Sequence, residues 1–158
     1  MMRVTVGAAA ALATVILAGA PAAAQMSHEE HAVHAAIDQI FEGMRTANPE
    51  MVRAVFAPDA RFAMVGGDVG GVSVQTVDGW LSAIGSSEGR WDERLYDVEV
   101  KVDGAMASAW TPYTFYLDGA LRHCGINSIE LLRDASGWKV TQISDTRRTE
   151  NCPDPLGG

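Results

Sequence analysis

The 158-residue chain carries 20 acidic residues against 12 Lys and Arg, for a formal charge of −8. Such a balance repels phosphate backbones, and the basic residues form no long run, so nucleic acid is excluded as a natural partner. No segment is of low complexity, and nothing recurs at the period of roughly 20 to 50 residues that marks repeat architectures.

Residues 1–24 open with Arg3 as the only early charge, continue through an Ala/Val/Leu/Ile-rich run and close on Pro21-Ala22-Ala23-Ala24. These are the three parts of a secretory signal peptide, with cleavage expected after Ala24 and a periplasmic or secreted product. The competing reading is a retained membrane anchor, because Val4 to Ala24 is long enough to span a bilayer. The absence of basic residues immediately after the run weighs against it. Residues 25–158 are then one domain with a short C-terminal tail.

Ser27 and Glu30 form a capping box, and Val33, Ile37, Ile40, Phe41 and Met44 follow at helical spacing. A second, short helix starts at Asn48-Pro49, buries Val52, Val55 and Phe56, and stops at Pro58. Arg61 to Val65 and Val72 to Val74 read as two short strands across a glycine-rich link. Thr76 caps a third helix that carries Trp80, Leu81 and Ile84 inward and ends at Gly85. Four strand-like runs follow, Leu95 to Val102, Ala105 to Leu117, Ala120 to Arg133 and Trp138 to Thr146, separated by Asp103-Gly104, Asp118-Gly119 and the Asp134 to Gly137 segment. Pro112 cannot donate to a ladder, so a bulge or bend is expected between Thr111 and Tyr113.

The order of elements predicts an α+β fold: a cone-shaped, curved antiparallel sheet, made of a four-stranded meander plus two short strands, with three helices packed on its concave face. The order, the FAPDARF junction and the GWKVTQISDTRR ending resemble the nuclear transport factor 2-like superfamily. More narrowly, LDGALRHCGINSIELLRDASGWKVTQISDTRRTENC is similar to its secreted bacterial lumazine-binding-like branch. The resemblance covers essentially all of residues 25–158. It implies an apolar pocket between sheet and helices and a homodimer formed through the outer face of the sheet.

The resemblance also bears on chemistry. Ketosteroid isomerases of the superfamily carry a carboxylate base on the first strand after the second helix, a position that falls at about Met64 here. They also use a first-helix tyrosine, whereas no tyrosine precedes Tyr96. Dehydratases of the fold use a first-helix aspartate with a sheet histidine, which makes Asp38 and His123 the candidate catalytic residues. Asp38 lies at the edge of the apolar stripe, where it either enters the pocket mouth or, as the favoured reading, remains solvated. His123 is a candidate general acid or base, or a hydrogen-bonded structural histidine.

Asp145 and Arg147 alternate on the final strand and so share a face, as an ion pair or as an anchor for an anionic ligand. Phe62, Met64, Trp80, Trp91, Trp110 and Tyr113 complete the expected pocket lining. His28, His31 and His34 invite a metal reading, but steps of three drift by about 60° on a helix, so His28 and His34 diverge. A solvated polar face accounts for them, and no metal is expected.

If the Asp134 to Gly137 turn sets the register, Cys124 lies opposite Arg147, and a tail turning back after Arg148 brings Cys152 within disulfide reach. Two free thiols are the alternative. A catalytic pairing of His123 with Cys124 is disfavoured, because neighbours on a strand face opposite ways.

No dinucleotide fingerprint, P-loop or nucleophile elbow occurs, and no cofactor is expected. The leading expectation is an exported protein that binds a small apolar or aromatic molecule, with no membrane attachment after cleavage. An isomerase, dehydratase or cyclase using Asp38 and His123 is the first alternative. A structural or interaction module is the second.

Overall fold

A computed structural model describes residues 26–66 and 71–153, so the expected signal segment and the centre of the glycine-rich link lie outside the described residues. Three helices, α1 (His28–Arg45), α2 (Pro49–Arg53) and α3 (Val77–Ser86), accompany seven strands. The strands are β1 (Phe56–Gly66), β2 (Gly71–Thr76), β3 (Trp91–Leu95), β4 (Glu99–Asp103), β5 (Met106–Leu117), β6 (Ala120–Asp134) and β7 (Gly137–Arg147). They form one curved, unclosed sheet in the order β2-β1-β7-β6-β5-β3, with β4 also on β5.

The starts of α1 and α2 follow their side chains, whereas Thr76 precedes α3 without the side-chain cap hydrogen bond expected of it. Ser27 Oγ accepts from the Glu30 amide at 3.2 Å while Glu30 Oε2 accepts from the Ser27 amide at 2.6 Å, completing the capping box. Asn48 caps α2 through Met51 N, with Pro49 in the first turn. This helix ends at Arg53 rather than running to Pro58. Val55 and Phe56 are buried as expected, but beyond the helix: Val55 lies in the turn before β1, where its carbonyl accepts from Val140 N, and Phe56 opens β1 opposite Val140. At the other end of α1, Glu29 takes hydrogen bonds from Arg133 and from Trp138 Nε1, pinning the helix to the β6–β7 hairpin.

The sheet is antiparallel except where β1 runs parallel to β7. Its end strand also differs from expectation: the run from Leu95 to Val102 is broken in two. Tyr96, Asp97 and Val98 oppose only Thr111 and Pro112, and Asp97 takes a positive φ of 47°. Pro112 presents no N–H to this edge, while its carbonyl accepts from Tyr96 N. The irregularity expected at Pro112 therefore falls on the strand facing it.

A second bulge sets the site. Leu131 pairs with Val140 but Glu130 pairs with Gln142, leaving Thr141 extra. Trp138 and Val140 point into the core before it, and Ile143, Asp145 and Arg147 turn to that same side after it. A one-residue slip exchanges the faces of a strand, so without this bulge Asp145 and Arg147 would point outward. The slip also moves the partner of Cys124 from the expected Arg147 to Arg148, with both backbone bonds at 2.9 Å.

The core fills one end of the concave face, where Val33, Ile37 and Ile40 of α1 meet Ala107, Ala109, Ile129, Leu131 and Val140 of the sheet. On the outer face the chain turns back after Arg148, and Cys124 and Cys152 form a disulfide with Cα atoms 5.5 Å apart. Closing a loop with a sequence separation of 28 limits the unfolded chain by about 3 to 4 kcal/mol in the chain-entropy account. Cys152→Ser is therefore expected to lower the unfolding free energy by about that amount in urea titrations. Added reductant should shift the wild-type midpoint and leave the variant's unchanged; equal stability of the two proteins would show that the tail constrains nothing.

Candidate functional site

Beyond the core, the helices and the sheet separate enough to leave a cavity of about 370 Å³. Its walls are mostly apolar: Phe41 and Met44 from α1, Trp80 and Ala83 from α3, Phe62 and Met64 from β1, Trp91 from β3, Phe115 and Leu117 from β5, and Ile143 from β7. Trp80 stacks on Phe62 with ring centroids 5.1 Å apart and meets Phe56 edge-on, so its indole is fixed by packing. Trp91 meets Phe115 edge-on, and Phe115 in turn stacks on His123 at 4.9 Å.

Glu93, His123, Asn127, Asp145 and Arg147 converge in this apolar setting. Asn127 and Asp145 are direct partners across β6 and β7, and Asn127 Nδ2 donates to Glu93 Oε1 at 2.9 Å. Arg147 Nε and Nη2 both donate to Asp145 Oδ2, at 3.0 and 2.9 Å. The second Asp145 oxygen, Oδ1, is buried without a hydrogen-bond partner in the protein. Behind the cluster, Tyr113 is fully buried and its hydroxyl donates to Thr146 O at 3.0 Å. It reaches that oxygen past Gly125, where a Cβ would lie only 1.7 Å from the same carbonyl.

Burial governs the protonation of these groups. Desolvation pushes the Glu93 carboxyl up to about 7, reinforced by the Asp145 charge and opposed by the Asn127 hydrogen bond and by Arg147. Asp145 is also raised by desolvation, against the pull of Arg147. His123 is held down to about 4, first by desolvation and then by Arg147, so its ring is neutral near pH 7. Desolvation, with the Glu93 and Asp145 charges, drives Tyr113 well above the ordinary tyrosine range.

Of the expected lining residues, Phe62, Met64, Trp80, Trp91, His123, Asp145 and Arg147 face one cavity. Trp110 does not. It lies on the other face of β5 from Ala109 and Thr111, is 52% exposed and borders a shallow outer depression. Tyr113 packs behind the cavity rather than lining it. Asp38 is exposed and borders a separate depression with Gln39, Arg45 and Arg94, so it does not share the cavity with His123. The apolar stripe of α1 turns toward the sheet and carries Asp38 to its solvent side, which removes the expected Asp38–His123 pair. Among the described residues no group of three His, Cys, Asp or Glu is placed to hold a metal ion.

Sequence reasoning missed Glu93, Asn127, Phe41, Met44, Phe115 and Leu117 as cavity residues. Phe115 and Leu117 carried a usable signal, since they share the inward alternation of Ala107 and Ala109 along β5. Glu93 carried none. It lies in Trp91-Asp92-Glu93-Arg94-Leu95, whose three central charged residues mask a strand.

A curved sheet enclosing an apolar cavity under three helices is the architecture of the nuclear transport factor 2-like class. Within it, the family described as "Putative lumazine-binding" matches residues 28–119, and the chain belongs to that family. The match ends before β6 and β7, which supply His123, Asn127, Asp145 and Arg147. No curated protein matches the chain. Among solved structures, an NTF2-like protein from Cytophaga hutchinsonii is 12% identical with a TM-score of 0.65, over 77% of this chain and all of that one. An NTF2-like protein with a cystatin-like fold from Novosphingobium aromaticivorans is 14% identical with a TM-score of 0.64, over 77% of this chain and 83% of its own. A Streptomyces avermitilis protein described as a "putative dehydratase" of the NTF2-like family is 17% identical with a TM-score of 0.59, over 75% of this chain and 94% of its own. These identities establish a shared fold.

Folding raises the Glu93 pKa, so the folded state binds this proton more tightly than the unfolded one. The stabilisation is complete below the ordinary value of 4.5 and is lost as pH rises through about 7. Depressed His123 acts oppositely, with its contribution complete above 6.5 and lost as pH falls through about 4. Glu93→Gln keeps an acceptor for Asn127 but removes the titration. The stability of the variant relative to wild type should therefore rise between pH 4.5 and 7 in denaturant titrations; a constant difference would place the Glu93 carboxyl in an ordinary, water-exposed setting.

Proposed function

We propose that the protein is an exported small-molecule-binding protein whose ligand is a small aromatic compound held in the cavity. One observation carries this reading: an apolar, aromatic-walled cavity of about 370 Å³ in which a few polar side chains converge. The polar side chains among its walls, Glu93, His123 and Asn127, would orient a ligand there. Family membership supports the same reading. Export is supported by the residue pattern of 1–24 and by the disulfide, which persists in oxidising compartments. Among the described residues no helix is long and apolar enough to cross a membrane.

Acid–base chemistry on the ligand is the second reading. Glu93, with a carboxyl near 7 inside the cavity, favours it, and takes the place of Asp38 beside His123. The proposed macromolecular partner is a second copy of the chain, docked on the outer face where Met106, Trp110 and Leu132 are exposed.

Native mass spectrometry of the mature protein purified from the periplasm tests these readings together. A bound compound of low mass is expected, with Ala83→Phe, which projects a ring into the cavity, abolishing its retention while the circular dichroism stays unchanged. A consistently empty wild-type cavity overturns the binding reading. Conversion of the recovered compound by the wild type, and its absence in Glu93→Gln, transfers the conclusion to the enzyme. On the same sample, light scattering should give the mass of two chains, reduced to one by Trp110→Glu; a monomeric wild type excludes the dimer.

A further inference from the structure

The polar end of the cavity has acceptor capacity that the protein leaves unused. Glu93 Oε1 takes one hydrogen bond, from Asn127 Nδ2 at 2.9 Å, and the carboxyl lines an otherwise largely apolar cavity, where it favours a ligand that supplies an N–H. The only guanidinium in the cavity is already committed, since two nitrogens of Arg147 grip one Asp145 oxygen. That pair is neutral as a unit, and Glu93 adds a second carboxyl next to it. An anionic ligand would meet two carboxyls and a cation already paired. A neutral hydrocarbon would leave the Glu93 carboxyl with no donor beyond Asn127.

We propose that the cavity is a site for a planar aromatic cation of the amidinium type, a flat nitrogen base whose N–H groups pair with the Glu93 carboxyl. The proposal rests on the binding reading given above and adds the class of ligand. The walls suit such a molecule, because Trp80, Trp91 and Phe115 offer aromatic faces that attract both flat rings and positive charge. A delocalised amidinium is weakly hydrated and matches a carboxylate through two parallel donors, as a guanidinium does.

Glu93 then couples binding to pH. It is faced by His123 and Asn127 of β6, Asp145 and Arg147 of β7 and Tyr113 of β5, and across the outer depression by Asp38, Glu42 and Arg45 of α1. Arg45 is occupied by Asp92 and Glu42, so within this set a bound cation is a new counter-charge for Glu93. Binding the cation expels the Glu93 proton wherever that carboxyl is still protonated.

The test uses naphthamidine, naphthamide and naphthoate, one flat ring system bearing a permanent cation, a neutral amide or an anion, titrated calorimetrically into the mature protein. Naphthamidine should bind at least about ten-fold tighter than naphthamide, with naphthoate weakest, as a charge-assisted pair requires. Its affinity should rise by about ten-fold from about pH 5.5 to about pH 8, with proton release, and both the preference and the slope should disappear in Glu93→Gln. Near-UV circular dichroism checks the variant's fold, and the wild-type pH series stands without it. Tighter binding of naphthamide or naphthoate across the pH range overturns the cationic class and leaves the cavity as a binding site. If none of the three binds at millimolar concentration, the cationic class fails, while the binding reading is decided by the mass-spectrometric test above.

Discussion

The long ladder between β5 and β6 is the constraint on which the rest of the molecule depends. It runs from the Met106–Leu132 pair to the Leu117–Ala120 pair, and every other element is placed by reference to it. On its concave side, Ala107, Ala109, Ile129 and Leu131 are small or branched and lie under α1, so this end closes into core. Further along, the same face presents Thr111, Tyr113, Phe115, His123, Gly125 and Asn127, a row too polar and too uneven in size to close. The cavity begins where the ladder changes composition. Two irregularities adapt the neighbouring strands to this change: the break opposite Pro112 frees β3 from the line of β4, and the extra residue Thr141 turns Asp145 and Arg147 inward.

The charged groups at the deep end illustrate how burial decides roles. Coulomb attraction to Arg147 only partly offsets the removal of Asp145 from water, and paired in this way the two form a dipole rather than two free charges. Glu93 has only an amide for a partner, so desolvation dominates and its carboxyl stays available for a proton near pH 7. His123 has stacked aromatic neighbours and a nearby guanidinium, both of which oppose a positive ring. Four titratable groups within one cavity are thereby held as an ion pair, a proton carrier and a neutral imidazole.

Most of the architecture was legible because its signals are local. Ser27 with Glu30, Asn48 with Pro49, and the Asp-Gly turns act within four residues, and periodicity identified the buried stripe of α1. The disulfide was legible because turn position and strand register are simple arithmetic, although a bulge changed the partner by one residue. What escaped was set by distant partners. Trp110 was assigned to the pocket for its chemistry while its parity on β5 placed it outside. Glu93 was invisible because a charged pentapeptide does not read as a strand, and only the edge of β5 makes it one. Asp38 failed for the opposite reason: its helix position was read correctly, but whether a residue at the margin of a stripe points into a cavity depends on the helix packing angle.

The Cys124 and Arg148 backbone bridge stands one residue away from His123 on one strand and from Arg147 on the other. Side chains alternate across a strand, so the covalent clamp grips the outer face of the same short segment whose inner face carries part of the polar cluster. The regular β6–β7 pairing stops at Asn127 and Asp145, and beyond it the Thr146 carbonyl turns in closely against Gly125. On their other sides these strand ends pair with β5 and β1, and the disulfide adds a covalent tie between them. Tied from behind, they hold Asp145 and Arg147 in one arrangement, and a cavity held in this way would spend little of a ligand's interaction energy on ordering its walls.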